Sequence, residues 1–445
     1  MSEFKQELGE MSREKRLYTL ETLPRHLVES GQGEKLHQLL TDFDFIEAKL
    51  DELGVQALIE DYDLAIGSNL LRGQDQSRDV QFIQYALRKS APILERDKTQ
   101  LAGQLLGRLL VVENPEFQRM LEQAKQSKNS PWLRPLRGNL EALPFGVCAL
   151  MLGGHNLSVQ AVAIAADGKR TISASYDKTL KIWDTDTGRE LRTLTGHTGP
   201  VRGVAIAPDG LTAISASDDN TLKIWDIETG SELQTLTGHT NSVRGVAIAP
   251  DGLTAISASD DNTLKIWDLA SGSELRTLTG HTNSVRQVAI APDGKRAISA
   301  SDDNTLKVWN LLSGTELRTL TDTGYGRAVA MAPDGDLAMS VPQLNTLKIW
   351  DTETGRELQT LTEDSSFVSA VAIAPDGKRV VSASWDHTLR IWALASGKEI
   401  ASFTGDNGFN CSAIAPDGVT VVAGGQSGPP HFLRLEGVSG GGEEF

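Results

Sequence analysis

Histidines and carboxylates have the widest chemical reach in this chain, and their spacing decides what they can do. Of eight histidines, four (His155, His197, His239 and His281) stand 42 residues apart, each behind a glycine. A catalytic base or a metal ligand is needed once, in one pocket. A histidine that returns at a fixed interval belongs to a repeated structural unit. His387 stands in a turn beside Asp386, and His26, His37 and His431 are isolated, so none has metal-ligand spacing. The paired carboxylates Asp218-Asp219 recur in three units, which again argues for structure. No kinase motif set and no Gly-x-x-x-x-Gly-Lys-Ser/Thr occurs. The expectation is a protein that is not an enzyme and uses no cofactor and no metal.

The repeat that holds these histidines is one of strands. Trp183, Trp225, Trp267, Trp309, Trp350 and Trp392 follow at intervals of 42, 42, 42, 41 and 42, and Asp follows four of them. Val201–Ile206 ends at the turn Pro208-Asp209-Gly210, a hairpin signal. Thr212–Ala216, Thr221–Trp225 and Glu232–Leu236 complete four predicted strands per unit of about 42 residues, the propeller period. Residues 196–226 and 238–268 differ only where Gly199-Pro200 becomes Asn241-Ser242. Near-copies of this kind are a poor place to look for a unique site.

The Gly-His to Trp-Asp unit resembles the WD repeat, and the resemblance covers about 290 residues with fixed phase. It implies a buried, hydrogen-bonded chain of His, Ser, Asp and Trp in each blade. The matching residues are His155, Ser173, Asp177 and Trp183; His197, Ser215, Asp219 and Trp225; His239, Ser257, Asp261 and Trp267; and His281, Ser299, Asp303 and Trp309. A buried imidazole and indole N–H must be satisfied, and a hydroxyl and a carboxylate can do so. The last three units decay. The fifth has Thr323 and Leu344 in place of His and Asp, the sixth has Asp364 for His, and the seventh has Asp406 for His and Leu433 for Trp. The turn Pro416-Asp417-Gly418 still marks a seventh blade. The resemblance further implies closure of the ring by the first strand, here residues 148–152 pairing near 430–435. That would put Cys148 on the outermost strand of that blade and Cys411 on the innermost, with no disulfide.

On a propeller of this family the narrow face is built by the loop after the His and the turn before the third strand. The first strands offer Arg202, Arg244, Arg286 and Arg327, and the turns offer Asp218, Asp260 and Asp302. These can simply pair with one another around the ring, or serve as an adaptable charged rim. In the degenerate sector the equivalent positions hold Tyr325, Phe367, Trp385 and Phe409, with Tyr176 in the first blade. Aromatic side chains on a rim are hot-spot residues, although they could equally fill space left by missing tetrads. A protein partner bound at this sector is the expectation.

The first 144 residues carry a helical period, as in Leu36, Leu39, Leu40 and Phe43. Helices are predicted at about 3–30, 33–41, 43–53, 55–66, 77–91, 98–111 and 114–127. Gly31 and Gly54 read as helix ends, and Pro24 and Pro92 as interruptions. Ser130–Pro135 reads as a stiff connection, with Trp132 packed at the domain junction. The stretches Leu23–Gly31, Leu39–Phe45 and Pro131–Leu136 resemble the helical segment beside the WD repeats of apoptotic protease-activating factors and related bacterial STAND signalling ATPases. In that family helices and propeller form the sensor end, and the P-loop ATPase module is not in this sequence.

Composition frames these readings. With 39% hydrophobic and 23% charged residues the chain is that of a soluble globular protein. No apolar run is long enough for a membrane span, the first residues are not a secretory signal, and two cysteines make no disulfide framework, which together favour the cytoplasm. Net charge is −16, about −4 before residue 145 and −12 after it. Acidic balance opposes nucleic acid and anionic lipid and favours a basic protein partner. The expected fold is an N-terminal all-α domain followed by a seven-bladed WD-repeat β-propeller closed by its first strand. The boundaries are a helical domain at 1–129, a linker at 130–147, the propeller at 148–436 and a flexible acidic tail at 437–445. The expected function is that of a bacterial sensor-adaptor scaffold. The alternatives are an architectural subunit of a larger complex, or an accessory sensor of a signalling ATPase on another chain.

Overall fold

The computed structural model describes residues 3–71, 73–112, 114–128, 130–138, 140, 154–321, 324, 326–342, 346–362 and 367–438. The chain forms two compact units. One comprises residues 1–152 with 436–438, the other residues 153–435 with 439–445.

The first unit is helical: Glu3–Glu10, Arg13–Glu29, Gly33–Leu40, Phe43–Gly67, Gly73–Leu94, Leu101–Leu109 and Pro115–Gln126, with a short 3₁₀ turn Lys98–Gln100. The predicted helix at 3–30 is two helices, because Ser12 leaves helical geometry and its Oγ caps the second by accepting from the Lys15 amide. The pair predicted at 43–53 and 55–66 is seen within Phe43–Gly67: Gly54 takes φ 86° and ψ 171°, outside helical geometry, and separates the two helices. Pro24 and Pro92 lie inside helices and do not end them. At Pro24 the reason is visible. Proline cannot donate to the Leu20 carbonyl one turn back, and the Lys49 ammonium donates to it instead, at 2.7 Å. Leu20, Leu36, Leu40, Phe43, Phe45, Leu50, Leu58 and Tyr62 form the core, and Tyr62 donates its hydroxyl proton to the Leu40 carbonyl at 2.7 Å. Trp132 is buried in this same core, with Lys128 over its ring.

The second unit is a seven-bladed propeller of antiparallel four-stranded sheets. The second blade runs Val201–Ile206, Thr212–Ser217, Leu222–Asp226 and Glu232–Leu236, and the other complete blades follow the same order. First strands of successive blades lie side by side, and the first strand of blade seven, Phe409–Ile414, lies beside that of blade one, Val159–Ile164, so the ring is closed. The cores sit between blades. Ile172, Ala174, Leu180 and Ile182 of blade one pack on Val201, Val204 and Trp225 of blade two, and the pattern repeats to blade six. Small residues let the sheets approach: the second strand Thr-Ala-Ile-Ser-Ala-Ser is buried from its second residue onward. The turn before the third strand of blades one to four and six holds a left-handed residue, Lys178, Asn220, Asn262, Asn304 and His387 (φ 65–74°), a conformation that asparagine tolerates well and that gives His387 a backbone role.

The segment read as a linker contains a strand, Trp132–Pro135, and the described strands of blade seven are Phe409–Ile414, Thr420–Gly425 and His431–Glu436. Leu133 is buried, and Arg134 Nε donates to Glu436 at 2.7 Å within the first unit. Residues 148–152, and with them Cys148, lie outside the described residues, as does the tail from 439. Cys411 is buried on the first strand of blade seven, and burial pushes its thiol up to about 12.

Candidate functional site

All four predicted tetrads form. In the third blade His239 Nδ1 lies 2.7 Å from Asp261 Oδ2, His239 Nε2 lies 2.7 Å from Ser257 Oγ, and Trp267 Nε1 donates to Ser257 Oγ at 2.8 Å. The first, second and fourth blades repeat these contacts at 2.7–2.8 Å. A fifth member went unread in the sequence: the threonine two residues after each Asp (Thr179, Thr221, Thr263, Thr305) donates its hydroxyl proton to that carboxylate at 2.6 Å. Its recurrence at the repeat interval was the available signal. In blade six, Arg390 reaches Asp386 at 3.3 Å.

The network fixes its own protonation. The aspartate is ionised and only accepts, so the imidazole proton sits on Nδ1. Nε2 then accepts from the serine hydroxyl, whose oxygen accepts from the indole. Burial opposes the charge on Asp177, Asp219 and Asp261, but hydrogen bonds from the paired histidine and threonine outweigh it and hold each carboxyl well below the usual range. Asp303 is also lowered: burial opposes its charge, and bonds from Thr305, the Thr282 amide and His281 overcome it. Burial also lowers the pKa of His281, against the pull of Asp303. Both directions make acid destabilising. The unfolded chain takes up these protons at higher pH than the folded one, first on His281 below about pH 6.5 and then on the aspartates below about pH 4. The urea midpoint of the propeller, followed by tryptophan fluorescence, should hold level above pH 7, fall modestly to pH 5 and steeply below 4. A level profile down to pH 3 contradicts this reading.

The His, Ser and Trp of each tetrad are buried, the Asp is nearly so, and the arrangement is mutually bonded and repeated four times. The rim is where the blades differ. Arg202 grips Asp218 through Nε and one terminal nitrogen at 2.6–2.9 Å. Arg244 holds Asp260 and reaches back to Asp218 at 3.5 Å; Arg286 holds Asp302 and reaches back to Asp260 at 3.4 Å. Tyr176, half-buried, lies under Arg202, whose guanidinium carbon is 4.2 Å from the ring centroid and which also donates to the Tyr176 hydroxyl. The Arg and Asp side chains of blades two to four are thus paired around the ring.

The pairing stops at Arg327. That side chain is exposed and sits over the rings of Phe367 and Trp385, at 5.4 and 5.0 Å from their centroids. The two rings are 5.5 Å apart, and Trp385, 38% exposed, occupies the turn position that holds Asp in blades two to four. Asn410 fixes the indole by accepting from Trp385 Nε1 at 3.1 Å, and donates to the Val159 carbonyl across the ring closure. Asn410 was not read from the sequence; it stands at the register position of Arg202. The structure therefore brings Arg327, Phe367 and Trp385 together. It does not bring Phe409 to them. Phe409 is fully buried, edge-on to His431 at 5.1 Å, because it stands seven residues before its Pro-Asp-Gly turn, like Val201, and so is a core position. Tyr325 lies outside the described residues. Among the described residues no cluster of three or more His, Cys, Asp or Glu side chains is placed to hold a metal, and no helix is long and apolar enough to cross a membrane.

With this geometry, comparison with known proteins places the second unit among WD-repeat propellers. The WD domain, G-beta repeat, matches residues 146–184, 188–226, 230–268, 272–310 and 355–393. It passes over blade five and blade seven, the two most degenerate. The chain joins these repeats to an APAF-1 helical domain, which matches residues 2–127. NACHT domain- and WD repeat-containing protein 1 of Homo sapiens is 28% identical over 189 residues, 40% of this chain and 12% of that protein. Apoptotic protease-activating factor 1 of Danio rerio is 27% identical over 181 residues, 40% of this chain and 14% of that protein. Small ribosomal subunit protein RACK1 of Candida albicans is 46% identical over 44 residues, 10% of this chain and 14% of that protein. This chain spans no more than 14% of the length of these curated relatives.

Proposed function

We propose that this protein is a cytoplasmic protein-interaction scaffold of the sensor-adaptor kind, which holds a protein partner on the propeller rim at Arg327, Phe367 and Trp385. The observation that carries the reading is the exposed Trp385 indole, stacked with Phe367 and fixed by Asn410. It replaces a neutralised Asp at the same position of three other blades. A large aromatic held rigid and exposed loses little entropy on binding and offers much area, which is what interface hot spots share. The acid excess of the whole chain favours a partner whose broader surface is basic. Affinity capture from the native host with wild-type protein and with Phe367→Ala/Trp385→Ala tests the assignment. A partner held by the wild type and lost from the folded variant supports it; an unchanged partner set removes the site from this sector.

A second reading, an architectural subunit with dispersed contacts, has its own support. Leu191, Leu233, Leu275, Leu317 and Leu358, each directly after a glutamate in five successive outer strands, are 45–56% exposed. They make an apolar belt on the circumference, and a partner seated there would be insensitive to the aromatic double variant. The matches to NACHT-containing and apoptotic protease-activating proteins support a variant of the first reading, in which the partner is a signalling ATPase on another chain.

A further inference from the structure

The arginines of the rim differ in how many carboxylates they meet. Arg244 and Arg286 each lie between two, their own blade's Asp and the preceding blade's. Arg202 has Asp218 on one side and the Tyr176 hydroxyl on the other. Arg327 stands at the same register position, 41 residues after Arg286, and no carboxylate of the described residues lies within ion-pair distance of it. Where the sequence of blade four has Asp302-Asp303-Asn304, that of blade five has Gln343-Leu344-Asn345, with no acidic residue. The sequence between Thr321 and Arg327 is one residue shorter than that between Thr279 and Arg286, which accounts for the 41-residue interval. Among the described residues at these register positions, four arginines face three aspartates, and Arg327 is the one without a carboxylate.

Resting on the reading that this sector binds protein, we propose that Arg327 is the anchor for one carboxylate of the partner, an aspartate or glutamate side chain in a peptide segment laid across Phe367 and Trp385. Arg202, Arg244 and Arg286 show what a guanidinium in this register does when a carboxylate is available: it binds it through Nε and a terminal nitrogen. The guanidinium of Arg327 rests over the Phe367 and Trp385 rings while the side chain is exposed, which favours an anchor ordered before binding. A single monovalent acid matches this one arginine without a carboxylate. A dianionic phosphate or a run of acids would meet the aspartates of the neighbouring blades. The negative charge of the whole chain acts at longer range and is screened by salt, whereas this contact is local.

The test uses the full-length chain, immobilised, against a random heptapeptide library whose central residue is glutamate, glutamine or lysine. Glutamate peptides should be enriched roughly tenfold or more over their glutamine counterparts. Arg327→Gln should abolish that preference while leaving the thermal unfolding curve unchanged, since the side chain is exposed, and Arg327→Lys should retain part of it. Equal recovery of glutamate and glutamine peptides overturns the carboxylate anchor. If such charge-blind binding is lost in Phe367→Ala/Trp385→Ala, the aromatic site stands without the anchor. If recovery is insensitive to that double variant, the site itself is refuted and the anchor with it.

Discussion

Ser257→Ala should lower the free energy of unfolding of the propeller by on the order of 2–5 kcal/mol, although it removes one oxygen atom. The hydroxyl lies 2.7 Å from His239 Nε2 and accepts from Trp267 Nε1 at 2.8 Å, and all three groups are buried. Alanine leaves an imidazole acceptor and an indole donor without partners. Trp267→Phe instead removes the donor and part of the ring. In that background Ser257→Ala should cost about 1–3 kcal/mol less, because one of the two orphaned groups is gone. Ser215→Ala and Ser299→Ala should match Ser257→Ala, since the contacts of blades two to four agree at 2.7–2.8 Å. Urea titrations followed by tryptophan fluorescence measure all of these. A cost below about 1 kcal/mol for Ser257→Ala would show that the tetrad contributes little to stability.

How much of this was legible depended on repetition. Strands Val201–Ile206 and Glu232–Leu236 fall where the sequence put them, because three near-copies fixed the register. The tetrads were legible for the same reason. Phe409 was misplaced by one position because blade seven has Asp406 where the Gly-His anchor supplies a histidine; counting back from Pro416 would have given the core position. The strand Trp132–Pro135 was missed for a different reason: it is only four residues long, and Pro131 and Pro135 around it read as a connection. Arg327 was legible as one rim arginine among four. Its isolation was not, because pairing across blades is a matter of geometry that composition does not carry.

The buried Lys49 is the second place where a single change should be severe. It is 2% exposed, lies 2.7 Å from Asp61 Oδ2 and donates at 2.7 Å to the Leu20 carbonyl that Pro24 leaves without a helical donor. Lys49→Met keeps the volume and removes both contacts, so Asp61 is left buried without its cation and Leu20 without a donor. The expected loss is roughly 3–5 kcal/mol, read from urea unfolding followed by helical circular dichroism. Burial pushes Asp61 up to about 6 even with Lys49 beside it. The folded helices therefore bind that proton more readily than the unfolded chain, and lowering the pH from 7 toward 4 favours them, opposite in sign to the propeller. In Lys49→Met the carboxyl lacks its cation, so acid should recover more of the loss. Adding Asp61→Leu removes the orphaned acid and should restore most of the stability, and adding Pro24→Ala supplies the missing N–H to Leu20. If the triple variant is no more stable than Lys49→Met alone, the lysine serves the helical unit through its packing and not through the acid and the carbonyl.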